Sequence, residues 1–212
     1  MKKFLCYIPL QPSLRYVSYE AVDNQTLHYG KPGEAPQLAA FPIIPVLNGF
    51  AESGEEIEVL AMVNEYQNSL QHFEAFNRDV VSLCEKKQVR LRNGAITKII
   101  VPYESGIDAV LSAFDSLLDH FESGDEIHAC VTFGTKPSSI VEIMALRYAR
   151  LMLKDVYIAC VAYGGMDHIA EKACIYDVTA LVQIDDIMRM LAQRGAKNPR
   201  ETIRRILGAE EA

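Results

Sequence analysis

Residues 131–142 read VTFGTKPSSIVE. An apolar run meets Gly134, then Thr135, Lys136, Pro137, Ser138 and Ser139, and an apolar helical stretch follows at once. This passage decides the fold class. The run over 127–133 predicts a strand, 138–153 a helix and 156–163 a further strand. Two strands joined by a helix need a parallel crossover. The small hydrogen-bonding groups and single cation between strand and helix have two readings: a helix cap, or a seat for a phosphate.

Outward from this unit the pattern repeats. Residues 3–9 and 57–63 are short apolar runs and predict buried strands. Over 69–87, Leu70, Phe73, Phe76, Val80, Leu83 and Cys84 recur at helical spacing. The stretch QVRLRNGAITKIIVPY (88–103) carries Asn93-Gly94, a hairpin turn signal, with 96–101 as the second arm. Ser105 and Asp108 have capping-box spacing ahead of a helical stripe that ends at Phe121. The alternation of strands and helices predicts an α/β fold. It is a doubly wound, mainly parallel Rossmann-like sheet with helices on both faces. Residues 1–183 form this domain, with an irregular, proline-rich insertion over 11–54. Residues 174–182 (CIYDVTALV) read as a short strand or turn. Residues 184–212 read as a helical extension or linker, with helices over 183–193 and 200–207 and a frayed end.

Composition narrows the function classes. The chain has 212 residues, 50% of them hydrophobic, enough for one substantial core. Its apolar runs are too short to span a membrane. The start, MKKFLCYIPLQP, lacks a signal-peptide cleavage site and reads as a buried strand. A net charge of −7 argues against a protein that coats long DNA or RNA. Six Arg or Lys and one Glu over 187–207 make a local basic tail, read as a charged surface helix rather than a DNA-binding one. The five cysteines have no CxxC spacing and lie in apolar runs, as buried reduced thiols of a cytoplasmic protein do. The histidines have no metal-binding spacing, so no metal or cofactor is expected.

In a parallel sheet of this kind, ligands bind beyond the carboxyl ends of the strands. Four loops are therefore the candidate site. They are Leu10-Gln11-Pro12-Ser13, Pro102-Tyr103-Glu104, Gly134 to Ser139, and the segment from Gly164-Gly165 to Asp167-His168. The third has a helix start with about half a positive charge, plus Lys136. If it is a cap instead, Ser139 and Glu142 make the capping box. The spacing fits neither a Walker loop nor a dinucleotide fingerprint. Gly164-Gly165 is either a tight turn or a place where backbone approaches a ligand closely. Asp167-His168 reads as a surface pair.

Four segments, in order, carry a family resemblance. They are MKKFLCYIPLQPSLRY (1–16), VTFGTKPSSIVEIMALRYARL (131–151), DVYIACVAYGG (155–165) and YDVTALVQIDDIMRML (176–191). Together they resemble the CRISPR-associated Rossmann-fold (CARF) domain of type III CRISPR antiviral defence, over roughly residues 1–194. The resemblance implies a two-fold homodimer that binds a cyclic oligoadenylate, a ring of four or six adenylates. It implies ligand contacts at Leu10, Gln11, Pro12 and Ser13, and at Phe133, Gly134, Thr135, Lys136, Pro137, Ser138 and Ser139. Tyr103, Glu104, Tyr163 and Gly164 complete the set. Phe133 stands where relatives often have His or Asp, and Lys136 where they have Arg, so the planar phosphate fork is lost. The segment around 41–50 is expected to act as a lid or a dimer contact.

Many such sensors are joined to an effector domain. The chain is read either as a sensor domain from a longer effector or as a stand-alone protein. Binding is the leading expectation. The alternative is a metal-independent ring nuclease in which Lys136 stabilises the phosphate and Ser13 or Thr135 orients the ribose hydroxyl. A further alternative is a small-molecule enzyme with a phosphate-bearing substrate.

Overall fold

The computed structural model describes residues 1–22, 24, 26–27, 38–104, 106–167 and 172–207. Ser105, His168 and the end over 208–212 lie outside the described residues, as does much of the insertion, including His28, Pro32 and Pro36.

The strands are β1 (Lys2–Tyr7), β2 (Tyr19–Ala21), β3 (Glu56–Asn64), β4 (Arg90–Leu91), β5 (Thr97–Val101), β6 (Glu126–Cys130), β7 (Tyr157–Asp167) and β8 (Lys172–Asp177). The helices are α1 (Ile43–Phe50), α2 (Gln67–Lys87), α3 (Ile107–Leu118), α4 (Lys136–Met152), α5 (Ala180–Gln193) and α6 (Pro199–Ile206). All eight strands form one sheet, in the order β2-β8-β7-β6-β1-β3-β4, with β5 also on β3. Strands β5, β3, β1, β6 and β7 run parallel, and β8 returns antiparallel on β7. The chain builds outward from β1 through β3 to β5. Helix α3 then carries it back to lay β6 against the other side of β1. Strand order therefore reverses between β1 and β6, where a doubly wound sheet opens a crevice.

Strand alternation makes two cores. Phe4, Cys6 and Ile8 face α1 and α2, while Leu5 and Tyr7 face α3 and α4. The doubly wound reading therefore holds. At the amino ends of the strands, Lys3 is wholly buried. Its Nζ lies 3.0 Å from Asp125 Oδ2 and 3.2 Å from Glu58 Oε2. A buried ammonium persists only with such partners. Arg92 and the Met1 amine complete the network at 3.1 and 3.3 Å.

Several expectations need correction. Residues 43–50 of the insertion are helical: Pro42 caps α1 and Pro45 falls in its first turn, where a missing N–H costs no helical bond. Phe41, Ile43, Ile44, Val46 and Leu47 are core residues, so this part of the segment is neither lid nor dimer contact. Asn93-Gly94 does not make a hairpin. Both residues have positive φ, 55° and 70°, and they interrupt one edge strand, whose halves β4 and β5 both run parallel to β3. Strand β6 ends at Cys130 rather than at 133. Strand β7 runs on to 167, so Gly164 and Gly165 lie inside a strand, opposite Ile175 and Cys174. They form neither a turn nor a loop. No helix among the described residues is long and apolar enough to cross a membrane.

Gly164 has a packing reason. A Cβ there would lie 2.4 Å from Pro42 Cγ, so β7 meets the start of α1 only without a side chain. Gly164→Ala is expected to destabilise the fold by about 1–3 kcal/mol, read by urea unfolding. Unchanged stability would contradict that packing.

Candidate functional site

Residues 131–134 turn the chain from β6 into α4. Gly134 has φ 97°, and a Cβ there would lie 2.8 Å from Ser138 Cβ and 3.1 Å from Tyr7 Cγ. Glycine thus serves the left-handed backbone and the close approach at once. Thr132 ties the turn to the neighbouring strand, its Oγ1 accepting from the Gly164 N–H at 2.7 Å.

The hydroxyls after Gly134 are largely committed to the helix cap. Thr135 is the N-cap: Ser138 N–H donates to Thr135 Oγ1 at 3.3 Å, and Thr135 N–H donates to Ser138 Oγ at 3.1 Å. The capping box is therefore Thr135–Ser138, not Ser139–Glu142. Ser139 Oγ donates instead to the Val131 carbonyl at 3.4 Å. Pro137 has no N–H to offer. What remains for an anion is the Lys136 N–H, its ammonium and the helix dipole. Lys136 is exposed, and its side chain has no partner among the described residues.

Beside this helix start lies a crevice of about 370 Å³, within the range of small-molecule sites. Gln11, Ser13 and Arg15 from the loop after β1 form one wall. Thr132 and Phe133 form the floor, and Tyr163, Gly164 and Met166 of β7 form the other wall. No side-chain hydrogen bond or ion pair to another described residue holds Gln11, Ser13 or Arg15. Arg15 was not among the expected site residues, although it is the only cation in residues 8–18.

Glu104, Thr135, Pro137 and Ser138 belong to a second, much smaller cavity of about 20 Å³, with Tyr7 and Asn64. The remaining expected residues line neither space. The Leu10 carbonyl accepts from Asn68 Nδ2 at 3.0 Å, and Pro12 is exposed. Tyr103 stacks on Tyr66 with centroids 4.8 Å apart, beyond the tip of β5. A wider groove of about 550 Å³ separates α5 from α6, away from the strand tips, and is walled by apolar side chains and two arginines.

Glu142 lies under the first turns of α4, fully buried, and neither carboxyl oxygen has a hydrogen-bond partner among the described residues. Burial pushes its carboxyl well above the usual range, against a weak opposing pull from the Cys130 backbone, so it sits as the neutral acid. Burial also raises the Tyr7 hydroxyl, with a further push from Glu142. The five cysteines are free and buried, and burial holds the Cys130 thiol at about 12. These thiols are poor nucleophiles. No group of three His, Cys, Asp or Glu among the described residues is arranged to hold a metal ion.

No known family profile and no curated protein matches this sequence.

Glu142 generates a prediction about pH. Its pKa is raised in the fold, so above the unfolded value near 4.5 the native state holds a proton that the unfolded chain has lost. Stability from this group therefore falls as pH rises past that value. Glu142→Met is expected to be more stable than the parent by about 1–3 kcal/mol at pH 8. The gap should narrow toward pH 5, as followed by urea unfolding. A variant no more stable at pH 8 would contradict a neutral, unpartnered acid.

Proposed function

We propose that this chain is a CARF-type sensor of type III CRISPR antiviral signalling, binding a cyclic oligoadenylate across a homodimer. One observation carries the reading: among the described residues nothing pairs with the side chains of Gln11, Ser13 and Arg15, which line the crevice where β1 and β6 part, or with Lys136, which projects from the helix start outside it. Polar groups that the fold does not use, beside a helix start, suit a ligand with several phosphates and sugars.

The outer face of α4 supports the two-fold arrangement. Ile140, Met144, Tyr148 and Met152 recur every fourth residue and are exposed, Ile140 by 65%. Ile107 and Leu111 of α3 add to this apolar face. A contiguous patch of this kind marks an interaction surface. Covering it with a second copy would bring two α4 starts, each with its Lys136, toward one dyad. An isologous pair would then present the same groups to both halves of a symmetric ring.

The second reading is a metal-independent ring nuclease. In its favour, neither the Ser13 nor the Lys136 side chain has a partner among the described residues. Thr135 is held in the cap and is the weaker candidate to orient a ribose hydroxyl.

Calorimetry with cyclic tetra-adenylate and cyclic hexa-adenylate tests the binding. At least one ring should bind, and Lys136→Ala should weaken it about tenfold, the loss of one charge-assisted contact. Silence with both rings would overturn the proposal. Chromatography of the incubated ring separates binder from nuclease. Met144→Asp should give monomers in sedimentation and lose ring affinity. A parent chain that is monomeric with and without ring would remove the two-fold arrangement.

A further inference from the structure

Asn64 ends β3 at the strand tips and is 2% exposed. Its Nδ2 donates to the Pro102 carbonyl at 3.1 Å, which fixes the orientation of the amide. Oδ1 therefore points the other way, and among the described residues it has no hydrogen-bond donor. Folded proteins rarely leave a buried acceptor in this state without a reason.

The surroundings of Asn64 suggest one. It lines the cavity of about 20 Å³, room for a single water-sized group. Glu104, exposed, stands at its rim, and Tyr7, Thr135 and Ser138 share its wall. The Thr135 and Ser138 hydroxyls are engaged with each other at 2.8 Å. Asn64 and Glu104 bring acceptors to its lining, an amide oxygen and a carboxylate, beside the hydroxyls of Tyr7, Thr135 and Ser138. The Glu104 carboxylate disfavours a phosphate beside it, whereas an N–H donor reaching Asn64 would satisfy Oδ1. The same turn of α4 presents Lys136 outward. One ligand carrying both an amine and a phosphate would thus find a complementary group on each side of the helix start.

We propose that Asn64 Oδ1 is a specificity-determining acceptor, receiving the exocyclic amine of one adenine of the ring. The inference rests on the ring-binding reading. The amine alone is about the size the cavity admits, with the purine lying outside. Hypoxanthine carries a carbonyl oxygen where adenine carries the amine, so two acceptors would meet at Asn64. Leaving such a pair buried and unbonded typically costs about 10- to 100-fold in affinity.

The experiment is calorimetry on the full chain with the cyclic adenylates and the matching cyclic inosinates. The parent chain should prefer the adenine ring by about 10- to 100-fold. Asn64→Leu should bind both rings alike. Asn64→Asp, which keeps an acceptor, should retain the preference and guards against a Leu variant that fails to fold. Equal binding of both rings by the parent overturns the Asn64 assignment and leaves ring binding standing. A folded Leu variant that keeps the preference, or an Asp variant that loses it, overturns the assignment too. If neither ring binds the parent, both readings fall.

Discussion

The turn from β6 into α4 has no room for a side chain at Gly134. Tyr7 from β1 and Ser138 from α4 close on that position from two sides, and the backbone there is left-handed. The constraint fixes where α4 begins. It sets the helix start beside the tip of β1, where strand order reverses, and it turns Phe133 toward the crevice. The Thr135–Ser138 cap then locks the first turn. With the hydroxyls spent on that lock, Lys136 is the group of this turn left to solvent. The small polar groups of this turn thus divide: Thr135 and Ser138 build the cap, Ser139 bonds back to the Val131 carbonyl, and Lys136 is spare.

The two ends of the sheet treat buried polarity differently. At the amino ends, Lys3, Glu58 and Asp125 are mutually paired, as buried charge requires. At the carboxyl ends, Asn64 Oδ1 and both Glu142 oxygens lack partners. Sites of function are where local consistency commonly gives way. Two further buried atoms lack partners among the described residues, Arg147 Nε on α4 and His128 Nδ1 on β6. The His128 ring stacks on Phe4 at 4.8 Å, and burial keeps it neutral, so a packing role accounts for it.

Much of the fold was legible because periodicity records burial. Strands β1 and β3 and helices α2, α3 and α4 bury long apolar runs, and their residues fall close to the predicted spans. Helix α1 was hidden because Pro42 and Pro45 read as breakers, although a helix start tolerates both. The glycines of β7 read as punctuation, yet Gly164 is there to admit Pro42, a contact between residues distant in sequence. Asn93-Gly94 made the tight turn it promised, but β3 supplied an edge that both flanking strands join. In the site, Gln11, Ser13 and Gly164 followed from loop position and Phe133 and Tyr163 from the family resemblance, and all five line one crevice. Asn64 and Glu142 were not identified as site features. One looked like the polar end of an apolar run and the other like half of a capping box. An unpartnered atom is visible only once its neighbours are in place.

The central claim is that the ligand sits where β1 and β6 part. The most direct measurement is two-dimensional amide NMR of the labelled chain during titration with cyclic tetra- or hexa-adenylate. The account predicts that the largest shifts fall in residues 11–15, 132–136 and 163–166. Shifts concentrated on α5 and α6, with those three segments unmoved, would contradict it.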